Sequence, residues 1–417
     1  MWSFAAAFGQ LGAEPPRRWK EEAPLPPDFQ ELRRREFPDL EDRVHLDAAA
    51  WGPFPRRTRT EVESISRLRA QGGPVTPELF RERFARARAG ASGLLGVPVR
   101  EVGLAPNTTW GIQLAATLVG SGPPGRILYC HGEFPASVIP FLGLRERGFI
   151  LEEIPSDALG RPQADRLLER ISAAPDLRAV TLSVVQFATG VQLPLEPVVE
   201  ACRDRDVFLA LDAIQALGVL PLPPVALEAD VIASGAQKWL LSPWGSGFCR
   251  VHPRHLDGPE MPTPPVVSWL GFESAQDFGT LLDYDPVPLP DARHFEPATL
   301  GLQDFAGMAA SLELILEVGV EAIAGHVAQV QAPLVSWLKG KGEDGPNAPV
   351  TPVTPLEPEG RGGIVAFRSR NREAVAQRMV EAGITLSVRE GMVRVSPHLY
   401  STRGEMERVV EILDDLH

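Results

Sequence analysis

Between about residue 99 and residue 252, short apolar runs alternate with longer amphipathic ones. The runs VGLAP, GRILYC, FILEEIP, LRAVTLSVV, VFLALD, DVIASG and GSGFCRVH are short and bounded by Gly, Pro, Asp or polar residues, a pattern that predicts buried strands. TTWGIQLAATLV, SVIPFLGLRERG, ADRLLERISAA and LEPVVEACRDR lie between them and space their apolar residues as helices do. Strand and helix in alternation predict a mostly parallel sheet covered on both faces, the α/β class. In such sheets ligands bind beyond the carboxyl ends of the strands.

The flanks differ. Residues 1 to about 43 are rich in Pro, Arg and Glu and read as an arm with one short helix at 28–36, whose RRR run is a solvated face. HLDAAAWGPFP (45–55) suits a tight backbone passage, and 58–71 and 77–96 have helical spacing. Residues 253–297 are dense in proline and irregular, whereas 301–340 is strongly helical. After a Pro/Gly-rich gap at 341–363, GIVAFRS, REAVAQRMVEAG, ITLSVREGMVRVSP and GEMERVVEILDDL predict strand, helix, two strands and helix. The expected division is therefore an arm and lead-in (1–57), a large domain (58–298) and a smaller α+β domain (299–417).

A chain of 417 residues carries two domains naturally, and 44% hydrophobic residues are ordinary for a folded protein. The net charge of −13 disfavours a nucleic-acid surface or a polybasic membrane contact. Cys130, Cys202 and Cys249 are odd in number and far apart, which supports neither a disulfide framework nor a zinc site; they read as reduced, buried thiols. The apolar run near the N-terminus has no basic residue before it, and no run approaches the ~18 apolar residues of a membrane span. These features predict a soluble, cytoplasmic protein.

The chemistry concentrates in Val207–Val251. One predicted strand ends at Asp212; the next is followed by Lys238 and a Gly/Pro/Ser-rich turn. Alone, Lys238 reads as a surface lysine and Asp212 as a turn or cap residue. Apolar neighbours Trp239, Leu240 and Leu241 instead suggest an enclosed lysine, whose lowered pKa suits a Schiff base with an aldehyde. A carboxylate on the adjacent strand can keep a pyridine nitrogen protonated. Together they predict pyridoxal phosphate (PLP) held at both ends. Gln215 is placed to donate to a ring hydroxyl. In APNTTWG, Asn107, Thr108 and Thr109 precede a helical run, so one is an N-cap, and two hydroxyls at a helix N-terminus also suit a phosphate. No GxGxxG or GxxxxGK[ST] follows a strand, which weakens a nucleotide-binding reading.

The ordered set NTTWG, LDAIQ, SGAQKWL with GSGF, FEPATLG and VRVSPHLY resembles the class V aminotransferases, over roughly residues 44 to 415. These are fold type I PLP enzymes that include cysteine desulfurases, selenocysteine lyases, kynureninases and isopenicillin N epimerase-like proteins. The resemblance implies a seven-stranded, mostly parallel sheet with a smaller C-terminal domain. It makes Lys238 the Schiff-base lysine, Asp212 the partner of the pyridine nitrogen and Gln215 a donor to the phenolic oxygen. Thr108, Thr109 and Ser234 would bind the phosphate. Thr299 resembles the threonine that reaches the neighbouring subunit's phosphate, which implies a homodimer with sites at the interface. Phe134 resembles the aromatic that stacks on the ring, with His131 competing for that place, and Arg394 would take the substrate carboxylate bidentately.

The departures bear on substrate. Gln237 stands where many relatives have His before the lysine, and is the cofactor contact expected there. No cysteine lies in MVEAGITLSVREG before Arg394, so the nucleophilic thiol of a desulfurase is missing. Val184 and Phe187 replace the usual His and Asn of their strand. The expectation is a PLP enzyme acting on an amino acid through an α-carbanion, a lyase or epimerase before an aminotransferase. A PLP-fold binding protein without turnover is the reading from another class.

Overall fold

The computed structural model describes residues 27–257, 261–276, 279, 281–282, 284, 287–342 and 348–417; the N-terminal apolar run considered as a leader lies outside them. The chain enters through α1 (Phe29–Glu36), β1 (Val44–His45), α2 (Arg56–Ala70) and α3 (Pro77–Leu95). All seven predicted strand runs form one sheet: β2 (Val102–Leu104), β3 (Arg126–Cys130), β4 (Ile150–Ile154), β5 (Leu177–Ser183), β6 (Phe208–Asp212), β7 (Val231–Gly235) and β8 (Gly247–Val251). Their order is β2-β8-β7-β6-β5-β3-β4. Pairing is parallel from β7 to β4, and β8 runs antiparallel to both its neighbours, β7 and β2. With one strand reversed, β2, β3, β5, β6 and β7 all point the same way. Their carboxyl ends therefore share one edge.

Both faces are covered, and the pleat sorts the side chains. Leu209, Leu211 and Ile232 join the core beneath α6 (Ala164–Ala173), α7 (Leu195–Arg203), α3 and α8 (Leu302–Val318). Phe208, Ala210, Val231 and Ala233 face a second core with α4 (Thr108–Ser121) and α5 (Pro135–Leu142). The small residues on that face let α4 lie close to the sheet. A Cβ at Gly111 would sit 2.6 Å from that of Ala233 and 3.1 Å from that of Cys249.

The strongly helical 301–340 region is two helices, α8 and α9 (Val320–Lys341), because Gly319 at φ 86° breaks it. Helix α8 packs on α2 and α3. A third core gathers α9, α11 (Arg403–Leu416) and an antiparallel sheet of order β12-β13-β10-β9. Its strands are β9 (Val350–Pro352), β10 (Val365–Ser369), β12 (Ser387–Arg389) and β13 (Met392–Val395), with α10 (Arg372–Glu381) alongside. The stretch ITLSV, predicted as one strand, divides into β11 (Ile384–Thr385) and β12. β11 leaves the small sheet to pair parallel with β1, and Asp47 bridges to Ser396. Residues 44–47 are thus tied to the C-terminal unit. The described part of 253–297 holds only short 3-10 turns, in keeping with its prolines. Among the described residues no helix is long and apolar enough to cross a membrane.

Because α4 has no room to retreat, Gly111→Ala is expected to cost about 1–3 kcal/mol through forced overpacking, read as a lower urea midpoint at unchanged slope.

Candidate active site

The shared sheet edge collects polar groups from five connections. Asp212 closes β6 and is buried. Its carboxylate accepts from the Ser137 hydroxyl (3.0 Å) and the Ile214 amide (3.0 Å), and has no ion-pair partner among the described residues. Burial pushes its pKa up, against the Ile214 amide, the Lys238 charge and Ser137, which lower it. An unpaired buried carboxylate is costly unless a cationic group meets it.

Lys238 lies just beyond β7. The turn that carries it is fixed on both sides: Gly52 N–H donates to the Gln237 carbonyl (2.9 Å), and Ser242 N–H to that of Ala236 (3.0 Å). Leu241 takes a left-handed φ of 55° to close it. Trp239, fully buried, anchors the turn from below through its indole N–H to Gln215 Oε1 (2.8 Å). The Lys238 amine makes no hydrogen bond or ion pair with any described residue; its neighbour is the Phe134 ring, whose centroid is 5.5 Å away. Burial brings its pKa down to about 8, with Asp212 opposing, Arg394 adding, Asp47 opposing and Arg389 adding.

Phe134 sits at the N-terminus of α5, half exposed, and its ring meets Phe187 edge-on at 5.2 Å. His131 instead turns outward, its Nδ1 2.9 Å from Glu153. Of the two stacking candidates, only Phe134 lies against Lys238. At the N-terminus of α4, Asn107 caps the Trp110 amide (3.0 Å). The buried Thr108 hydroxyl accepts from Gly235 N–H (2.8 Å), which joins α4 to the end of β7 and leaves its own proton to donate. Thr109 is exposed beside it, and Ser234 Oγ donates to the Gly235 carbonyl (2.9 Å). Gln215 is buried, with Nε2 on the Ala49 carbonyl (3.1 Å); one N–H of that amide remains. Gln237 and Ser242 line a cavity with Trp51, Phe54 and Trp244. Thr299 is exposed on the lead-in to α8.

Arg394 is buried and held from three sides: Nη2 to Asp47 (3.1 Å), Nε to Ser387 Oγ (3.1 Å) and Nη1 to the Phe187 carbonyl (2.7 Å). A guanidinium has five N–H groups, so two remain for a ligand. Three polar residues here went unremarked in the sequence. Asp47, in LDAAA, is the counter-ion of Arg394. Ser137 bonds Asp212. Glu133 accepts from the Ser183 amide and hydroxyl and from Gln186 Nε2 (2.9 Å). Burial raises Glu133 to about 7, Ser183 and Gln186 oppose this, and nearby Asp212 raises it further. Its place next to Phe134 was the available signal; nothing local marks Ser137.

These residues fit PLP. A lysine without a partner and a buried carboxylate without a cation stand apart at one end of the sheet, with an aromatic ring over the lysine and a helix N-terminus alongside. A ring-sized group carrying an aldehyde, a basic nitrogen and a phosphate satisfies all four. The three cysteines are free and buried, and burial raises the pKa of each.

The family model for aminotransferase class-V matches residues 71–409. Isopenicillin N epimerase of Streptomyces clavuligerus is 28% identical, over 93% of this chain and 98% of its own. A probable cysteine desulfurase of Methanothermobacter thermautotrophicus is 26% identical over 92% and 97%, and a probable hercynylcysteine sulfoxide lyase of Mycobacterium tuberculosis 26% over 89% of each. Among solved structures, a C-DES variant with glycine covalently linked to its PLP cofactor superposes with a TM-score of 0.79 at 22% identity, covering 92% of this chain and 99% of that one.

With a pKa of about 8, the Lys238 amine is roughly one-tenth neutral at pH 7 and nine-tenths at pH 9. Condensation of the apoprotein with PLP is expected to accelerate about tenfold over that interval and then level off, followed by stopped-flow absorbance. An ordinary lysine would still be accelerating at pH 10.

Proposed function

We propose that this chain, which belongs to the class-V aminotransferase family and so to the enzymes that work with pyridoxal phosphate, is a lyase or epimerase of amino acids. The observation that carries the reading is Lys238: a half-buried lysine whose amine has no hydrogen-bond or ion-pair partner among the described residues and is lowered to about pKa 8, opposite a buried carboxylate. When bound, pyridoxal phosphate supplies an electron sink for charge developing at a substrate's α-carbon.

The chain's own residues supply the rest. Lys238 would hold the cofactor's aldehyde, and its amine would take the proton from the substrate's α-carbon and return it. Its pKa near working pH suits both directions. Asp212, oriented by Ser137 and the Ile214 amide, would keep the ring nitrogen protonated. Thr108, Thr109 and Ser234 by the α4 N-terminus would hold the phosphate, with Gln237 nearby; the free N–H of Gln215 would serve the ring oxygen. Phe134 would cover the ring. Arg394, preset by Asp47 and Ser387, directs its two remaining N–H groups to the substrate carboxylate. Thr299 would reach the phosphate of a second copy, and the exposed Trp51, Phe54 and Trp244 support a site closed in a homodimer.

Desulfuration requires a protein thiolate to take the sulfur. Cys130 ends β3, Cys202 lies in α7 and Cys249 in β8; all are buried with raised pKa, so none serves as that nucleophile. Neither elimination nor epimerisation needs a protein thiol: elimination removes the α-proton at Lys238 and expels the β-substituent with its bonding electrons, and epimerisation removes and returns the α-proton. Both are therefore compatible with this cysteine placement.

Lys238→Ala is expected to lack the borohydride-reducible visible chromophore of the holoprotein; an unchanged chromophore overturns the lysine's role. In deuterated water, a responding amino acid should either return with deuterium at Cα as a mixture of enantiomers or give a keto acid and free ammonium, read by mass spectrometry and chiral chromatography. Amino-group transfer to an added keto acid as the main outcome would overturn the lyase or epimerase reading.

A further inference from the structure

We propose that Arg389 gives this site a second cationic contact that selects an amino acid whose side chain ends in an anion, such as a carboxylate, sulfinate or sulfonate. The proposal rests on the amino-acid reading above and narrows its substrate class. Strands β12 and β13 form a hairpin closed by Glu390 and Gly391, both in the left-handed region at φ 46° and 76°. Its register pairs Ser387 with Arg394 and Arg389 with Met392. Directly opposed residues share a face, and so do alternate residues of one strand. Ser387, Arg389 and Arg394 therefore project from the same side of the hairpin.

That side faces the site. Ser387 Oγ donates to Asp47 (2.9 Å) and accepts from Arg394, and Arg394 reaches the Phe187 carbonyl beside Phe134. Arg389 is the diagonal neighbour of Arg394, at a Cβ separation of roughly 7–8 Å. Arg394 is neutralised by Asp47. Arg389 has no ion pair among the described residues, and its guanidinium donates only to the Val388 carbonyl (3.1 Å). Beyond the dominant effect of burial, its charge disfavours the protonated forms of both Lys238 and Arg394, so it acts within the same space. An α-carboxylate uses the free donors of Arg394. A second anion separated from the first by two or three carbons then meets Arg389, the cation left without a counter-charge.

The test titrates the holoprotein with L-glutamate against L-glutamine, and L-aspartate against L-asparagine, following the cofactor's absorbance. The acidic member of at least one pair is expected to half-saturate at a concentration about two- to fivefold lower than its amide. Arg389→Gln should bring that ratio to about one, and Arg389→Glu should invert it. Arg389 is exposed at the end of β12, so both variants are expected to fold, checked by circular dichroism. Equal response to acid and amide in the parent protein, or a preference that survives Arg389→Gln, overturns the proposal while leaving the amino-acid reading intact. Silence towards every amino acid overturns that reading, and this one with it.

Discussion

Withdrawing an amine partly from water without pairing it to an anion is the constraint on which this molecule turns. Lys238 is held in that condition by its surroundings rather than by a bond of its own. Trp239 is locked beneath it by Gln215 and, through its backbone carbonyl, by His398 (2.7 Å), itself buried and kept neutral with a pKa of about 4. Gly52 crosses so closely that a Cβ there would lie 2.4 Å from the Lys238 carbonyl oxygen. The segment that supplies Gly52 is tied by β1 to the C-terminal unit. Desolvation of one lysine thus engages all three parts of the chain, and a group that spares the protein that cost is favoured at the site.

The other charges are arranged so that few cancel. Asp212 is buried and Glu133 half-buried close by, and their mutual repulsion adds to what desolvation does to Glu133. Among the described residues that line the site, Asp47 and Arg394 form a buried direct pair, and a pair of this kind chiefly fixes geometry. The fork of Arg394 is oriented before any ligand arrives. Arg389 remains uncompensated at the rim, which biases the site towards anionic ligands.

Much of this was legible. The seven strand runs are short, apolar and punctuated, so period and length sufficed to find them, and the carboxyl ends pointed to the ligand edge. Asp212 and Lys238 stood out because each ends a strand and the two strands are neighbours. Residues whose partners lie far along the chain were not legible in the same way. Asp47 meets Arg394 across 347 positions, and Ser137 meets Asp212 across 75, and a hydroxyl or carboxylate carries no mark of such a partner. Gly319 was visible as a glycine, but its positive φ, which divides one helical stretch into two, comes from the fold.

The sequence by itself determined the class of fold, the sheet edge where chemistry gathers and the residue types for a PLP site, because these follow from local periodicity and from what each side chain can do. Tertiary structure alone decided which groups are left unpaired. It set the amine of Lys238 against Phe134 and not an acid, turned His131 away to Glu153, and placed Arg389 on the face of Arg394 without a counter-ion. Protonation and selectivity depend on burial and on the distance between charges, and neither is a property of a residue's place in the chain.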